Sequence, residues 1–212
     1  MRTAMTYARE NHWFDIRRRI DTSSWVGREE YPARLAGVDH KIYMPVWTST
    51  VSRSLRDALD HLGPHRRPGT FVDIGCGKGK ALIAAREVLT RRGHRDVDMI
   101  GVEHLQALTV IAERNYWSRF GELPHIHVGD VAEFDPSTLR APVLFFLYNP
   151  FVGSTLEGFA RSAAALDALV IYVNPVESDA FIAQGFNEVL RVDAWHPVAS
   201  YQLLLSRRFK SA

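Results

Sequence analysis

The chain is poor in the features that would assign it quickly. It has one cysteine, Cys76, so no internal disulfide can form and a reducing compartment is expected. It has no long apolar run; the stretch Val143–Tyr148 reads as a buried strand, far too short to cross a bilayer. Residues 1–19 mix acids and arginines without the apolar core of a secretory signal, which points to the cytoplasm. Charge of neither sign dominates: 26 Lys and Arg stand against 24 Asp and Glu, so nothing pulls the chain strongly toward nucleic acid or acidic lipid. Internal repeats and low-complexity segments are missing too. What remains is an ordinary globular composition, 46% hydrophobic, in 212 residues, enough for one domain with a full core.

Two regions differ in pattern. Residues 1–62 read as a helical and irregular cap. A weak helix over 3–20 ends in Arg17-Arg18-Arg19, a run expected to face solvent. Residues 21–50 scatter Trp25, Tyr31, Tyr43, Met44 and Trp47 among Gly and Pro with no steady period, which suits packing on the core or a lid over a site. Thr48, Ser49 or Thr50 could cap a helix over 51–62. From residue 63 onward, through 212, short apolar runs alternate with helical stretches. Strands are expected at 70–74, 98–103, 125–129, 143–148 and 169–173, and helices at 78–91, 105–120, 154–167 and 178–184. A closing pair of strands is expected at 188–194 and 201–209, joined by a turn at His196-Pro197. The pattern predicts an α/β fold: a doubly wound, mostly parallel, seven-stranded sheet with an antiparallel edge strand and helices on both faces.

The most informative stretch is 71–85. An apolar strand ends at Asp73, and Gly75, Gly77 and Gly79 follow on alternate positions before a helix. Glycine adopts positive φ cheaply and lets a ligand approach the backbone, while the helix N-terminus offers N–H groups. Spacing excludes two familiar motifs. The dinucleotide fingerprint requires Gly or Ala where Lys80 stands, and a P-loop ending at Lys78 or Lys80 requires glycines where Val72 or Ile74 stands. Asp-x-Gly-x-Gly-x-Gly after a strand remains, and it resembles the first motif of the class I S-adenosylmethionine-dependent methyltransferases, Rossmann-like enzymes.

Ligands in doubly wound sheets bind at the carboxyl ends of the strands, so the residues there matter most. The second strand ends in Glu103, placed to accept ribose hydroxyls, and the third is followed by Gly129-Asp130-Val131, where Asp130 could accept from an adenine amino group. The resemblance spans about 70–175. It implies that S-adenosylmethionine is held by Asp73, Gly75, Cys76, Gly77, Gly79, Glu103, Asp130 and Val131, with methionine, ribose and adenine parts taken in that direction. Cys76 reads as a small spacer rather than a nucleophile.

The fourth strand ends in Tyr148-Asn149-Pro150-Phe151. In class I methyltransferases this position lies beside the methyl group, and enzymes acting on exocyclic or amide nitrogens often carry Asn-Pro-Pro-Tyr or Asn-Pro-Pro-Phe. Asn149 and Pro150 match; the second proline is absent, which weakens the case for a nucleobase or glutamine-amide acceptor. Asn149 and Tyr148 are the catalytic candidates. Pro150, Phe151, Asn174 of the second Asn-Pro pair, Tyr43 and Trp47 are the candidate acceptor lining. His125 and His127 alternate on the third strand without an evident third ligand, so no metal is expected.

The expected activity is methyl transfer from S-adenosylmethionine to a nitrogen or oxygen of a small molecule or a protein side chain, nucleic acid ranking last. The chain is similar to bacterial methyltransferase-domain proteins of unassigned substrate and, more weakly, to non-SET protein lysine methyltransferases. A catalytically silent S-adenosylmethionine-binding regulator or partner subunit is the alternative from another class. A nicotinamide oxidoreductase is a third, disfavoured by Lys80.

Overall fold

The computed structural model describes residues 2–26, 41 and 43–210. Its seven strands are β1 (Thr70–Ile74), β2 (Asp98–Glu103), β3 (His125–Val128), β4 (Val143–Tyr148), β5 (Ala168–Val173), β6 (Asn187–Val192) and β7 (Tyr201–Leu205). They form one sheet in the order β3-β2-β1-β4-β5-β7-β6. The pairs from β3 to β5 are parallel. β1, β4 and β5 are buried along their whole length apart from Tyr148, as expected of central strands covered on both faces.

The two closing strands refine the expectation. β7 runs antiparallel to both β5 and β6, so the reversed strand stands one place in and β6 forms the edge. Apolarity decides the order: Leu203 and Leu204 of β7 are fully buried, whereas β6 is largely exposed.

Alternate residues of the strands feed two cores. Phe71, Leu144, Phe146, Leu169 and Ile171 face α3 (Thr48–Leu62), α4 (Lys80–Arg91) and Tyr116 of α5 (Gln106–Phe120). Val72, Phe145, Leu147 and Val170 face α6 (Gly153–Ala164) and Phe181 of α7 (Asp179–Ala183). The doubly wound expectation therefore holds. α3 starts three residues earlier than its sequence suggests, because Glu10 Oε2 accepts the Ser49 N–H at 2.8 Å, a cap supplied from outside the helix.

The N-terminal region forms α1 (Arg2–Tyr7), a π-helical turn (Ala8–His12) and α2 (Trp13–Arg18), stopped by Arg19 in the left-handed region at φ 57°. Buried Asp15 then organises the next turn, accepting the Thr22 N–H at 2.8 Å, the Thr22 hydroxyl at 2.5 Å and the Ser23 N–H at 2.7 Å. The arginine run is not all solvated. Arg18 grips Glu87 of α4 through two hydrogen bonds of 2.9 and 2.5 Å, and Arg119 of α5 joins at 2.8 Å. Burial alone would raise Glu87; those bonds hold its carboxyl below the usual range. Residues 27–40, which include Tyr31 and part of the expected cap or lid, lie outside the described residues. Among the described residues no helix is long and apolar enough to cross a membrane.

Candidate functional site at the carboxyl ends of the strands

Strand order reverses between β1 and β4, and the turns that leave these strands meet. The glycine turn is fixed against β2: Gly75 and Cys76 donate to the Val102 carbonyl at 2.8 and 3.0 Å, and Gly77 donates to Glu103 Oε2 at 2.9 Å. Gly75, Gly77 and Gly79 all have positive φ, between 52° and 79°, which other residues adopt only under strain. A Cβ on Gly75 would lie 2.6 Å from Cβ of Pro150, and one on Gly77 would overlap the ring of Tyr43. At Gly75 and Gly77 the missing Cβ makes room for the protein's own Pro150 and Tyr43.

Asp73 is 3% exposed and accepts the Leu82 N–H of α4, so the helix start is served from within rather than left open. Burial, then the neighbouring Glu103, pushes Asp73 up to about 8. Glu103 is 5% exposed, and burial raises it although it accepts the N–H groups of Gly77 and Leu105 at 2.9 Å each. The imidazole of His104 stands beside it, with Nδ1 3.6 Å from Oε1. Among the described residues neither carboxyl has a Lys or Arg partner. The His104 N–H is a third backbone donor to Glu103, which leaves about one of the roughly four acceptor positions of its carboxylate. Asp130 caps the short turn Val131–Glu133 by accepting the Ala132 N–H at 2.9 Å, and Val131 packs on the second core. Cys76 is buried with Sγ against Gly101; burial, then Asp73 and Glu103, pushes its thiol well up, which leaves it inert.

The two lysines of the motif do work that the sequence did not reveal. Lys78 is 3% exposed and reaches Asp21 at 3.2 Å and the Ser24 hydroxyl. Asn115 closes the same knot, donating to the carbonyls of Asp21 and Lys78 at 2.7 and 3.0 Å while accepting the Asp21 N–H at 3.1 Å. Lys80, buried under Phe14, donates to the Glu10 carbonyl at 2.8 Å and to Asn11 Oδ1, and burial brings it down to about 7. Tyr43, expected on the acceptor side, lies on the glycine turn instead, its hydroxyl donating to the Thr22 carbonyl at 2.7 Å. The N-terminal region is thus keyed onto the glycine turn. The one available signal was a pair of lysines in a turn that fails the P-loop spacing.

At the tip of β4, Tyr148 is half-buried, and burial, then Tyr7, pushes its hydroxyl far above the range of a general base at neutral pH. It can donate a hydrogen bond but is not a base. Asn149 and Asn174 both sit in the left-handed region, at φ 44° and 50°, and both precede proline, which disfavours that region further. Asn tolerates this backbone best among residues with a side chain. Tyr172, absent from the sequence-derived set, brings its hydroxyl to 3.5 Å from Asn149 Oδ1. Pro150 packs on Gly75, and its carbonyl accepts the Lys41 N–H at 3.0 Å. Phe151 departs from expectation: it is 4% exposed and its ring packs edge-on to Phe159, 6.3 Å between centroids, so it belongs to the core rather than to an acceptor pocket.

Trp47 and Asn174 lie farther along the same edge. Asn174 donates its N–H to the Ser200 carbonyl at 2.9 Å, which pins the 193–200 connection over the tip of β5. Trp47 packs on Trp195 and His196 of that connection, with centroids 5.7 and 5.0 Å away. Tyr7 and Trp25, joined by a 2.8 Å hydrogen bond from Trp25 Nε1, complete the aromatic groups that sequence spacing could not place. Among the described residues no group of three or more His, Cys, Asp or Glu side chains could hold a metal ion.

No family model and no curated protein matches the chain. Solved structures do. A ribosomal protein L11 methylase from Lactobacillus delbrueckii subsp. bulgaricus is 18% identical over 76% of this chain and 78% of its own, with a TM-score of 0.51. An RNA methyltransferase from Salinibacter ruber, solved with S-adenosyl-L-homocysteine, is 17% identical over 76% and 91%, with a TM-score of 0.54. A Listeria monocytogenes protein provisionally assigned to the class I S-adenosylmethionine-dependent methyltransferases is 14% identical over 74% and 58%, also at 0.54. At these identities the likeness establishes the fold: a mostly parallel, seven-stranded sheet with the Rossmann-like topology of class I methyltransferases.

Proposed function

We propose that the protein is an S-adenosylmethionine-dependent methyltransferase acting on a nitrogen or oxygen of a small molecule or a protein side chain. One observation carries the reading. At the reversal of strand order, two buried carboxyls without a Lys or Arg partner among the described residues, Asp73 and Glu103, lie beside a turn that touches the strained Asn149-Pro150 pair through Gly75. A pair of buried acids in want of a cation fits a cofactor that bears a sulfonium and an ammonium group.

Bound there, the cofactor supplies an activated methyl group: the acceptor's lone pair forms the new bond to carbon, the C–S bond breaks with its electrons kept on sulfur, and S-adenosylhomocysteine leaves. The chain's own residues then have to hold and desolvate. Asp73 answers the positive charge, Glu103 takes the ribose hydroxyls, and Asp130 stands at the adenine end. Asn149 offers its side-chain carbonyl to an acceptor N–H or O–H, and Pro150 fixes the turn that carries it. With Tyr148 held protonated, the acceptor arrives with a lone pair ready and its proton passes to water.

A site in which Tyr148 is no base is also what a silent binding subunit would have, so turnover has to be measured. Calorimetry with S-adenosylhomocysteine and with NAD is expected to show binding of the first alone. Asn149→Ala is expected to keep that affinity while cutting transfer of a labelled methyl group to acceptor by about a hundredfold. Preference for NAD would overturn the cofactor. Tight cofactor binding by a wild-type protein that methylates no amine, hydroxyl or protein substrate would give the reading to the regulator.

A further inference from the structure

A cavity opens at the carboxyl edge of the sheet, under the connection that follows β6. It holds about 330 Å³ and lies between the N-terminal helices, the first turn of α3 and the 193–200 connection. The Asn174–Ser200 bond, together with the Ala194 N–H donated to Ser200 Oγ at 3.0 Å, keeps that connection over the carboxyl ends of β5 and β7.

The lining specifies a chemistry. Trp47, 5% exposed, forms the floor, and Trp195, 49% exposed, forms a wall inclined to it by 40°. His196 packs on both rings, so the aromatic surface is continuous. The one acid, Glu10, is engaged on both oxygens: Oε2 accepts the Ser49 N–H at 2.8 Å, and Oε1 pairs with Arg9 at 3.1 Å. It is therefore not available to a cationic ligand. Arg53 is exposed at the mouth and forms no ion pair among the described residues, so the described lining, with Arg9 matched by Glu10, carries one net positive charge. Broad indole faces beside an unpaired guanidinium recognise a flat ring that bears a carboxylate. The volume suits one or two fused rings rather than a polymer.

We infer that this cavity binds a planar aromatic acid.

The test uses three ligands of one shape and different charge on the full chain: indole-3-acetate, indole-3-acetamide and tryptamine, with and without saturating S-adenosylhomocysteine. The acetate is expected to bind about tenfold tighter than either of the others, the worth of one charge-assisted contact. Arg53→Ala should erase that preference, Arg53→Glu should turn it toward tryptamine, and Trp195→Ala should weaken all three, while affinity for S-adenosylhomocysteine stays unchanged. Equal affinity for the three ligands, a preference for tryptamine in the wild type, or an Arg53→Ala protein that still favours the acetate would overturn the inference, as would no binding at all. Should the acetate bind but S-adenosylhomocysteine not, the methyltransferase reading falls and the acid-binding cavity stands.

Discussion

The carboxyl edge of the sheet is built in two ways. Over β3, β2 and β1 the site is made of backbone: three left-handed glycines, N–H groups paired to Val102 and Glu103, and two acids buried to within a few per cent. Over β4, β5 and β7 it is made of side chains brought from distant segments, with Trp47, Trp195 and His196 in contact and Tyr7 reaching toward Tyr148. The first half cannot change without disturbing the fold, because its groups also hold β1, β2 and α4 together. The second can be rebuilt by substitution at exposed positions. Such a division suits a fixed cofactor and a variable acceptor.

The largest expected effect breaks the first half. Gly77→Val places a Cβ inside the ring of Tyr43 and puts a branched residue at φ 52°. A loss of about 3 kcal/mol in stability is expected, together with S-adenosylhomocysteine binding, measured by denaturant unfolding and calorimetry. Adding Tyr43→Ala should return the part due to overlap and leave the backbone strain. If Gly77→Val unfolds no more easily than wild type, the turn is not the rigid half claimed here.

Asn149→Ala is the matching change across the divide. It removes a side chain at a strained turn while sparing every bond of the glycine turn, so cofactor affinity should hold within about twofold. Methyl transfer should fall by about a hundredfold, the scale of a misplaced reactant. Equal losses in binding and turnover would erase the distinction between the halves.

The same contrast governs what could be read before the fold was known. β1, β4 and β5 announced themselves because strands buried on both faces are continuously apolar, and Asp73, Glu103 and Asp130 because each closes a short strand. Those signals are local. The start of α3 was misplaced because its cap, Glu10, lies outside the helix. Tyr43 was assigned to the acceptor side because nothing near it in sequence indicates that it covers Gly77. Phe151 was read as acceptor lining by its place in a motif, whereas its ring turns into the core beside Phe159. Lys78 and Lys80 showed what they were not, phosphate ligands, but their partners at Glu10, Asn11 and Asp21 come from a separate part of the chain.

Acidity sharpens the comparison in a quantity that both halves do not share. Folded Asp73 holds its proton up to about pH 8, against an ordinary 3.8 when unfolded. Between those values unfolding releases the proton, so the contribution of Asp73 to stability is full below about pH 4 and is lost as pH rises toward 8. Binding runs the other way. A cationic cofactor favours the ionised carboxyl, so below pH 8 its binding should expel a proton and tighten with rising pH, by at most about tenfold per unit, then level off. Calorimetry in two buffers of different ionisation enthalpy would show the released proton, and Asp73→Asn should remove both trends. Aromatic-acid binding beside Trp195 and Arg53 should show neither.

The smallest expected effect lies where the N-terminal region meets the glycine turn. Lys78→Met keeps the buried stem but loses the bonds to Asp21 and the Ser24 hydroxyl. Asp21 is 42% exposed, so solvent screens the pair and the cost in global stability should be about 1 kcal/mol or less. Its local consequence should be larger than its global one. Asn115 would still hold the Asp21 backbone, and residues 22–26 would keep their bonds to Asp15, Tyr43 and Tyr7 but lose the tie to Lys78, so they should open more often. Hydrogen exchange is expected to quicken at Thr22–Ser24 with no change in β4 or β5, and S-adenosylhomocysteine should dissociate faster while Arg53-dependent binding of indole-3-acetate is unaltered. Faster exchange spread evenly along the chain would mean that Lys78 stabilises the whole fold, and the N-terminal region could not then be treated as a cover keyed to one half of the site.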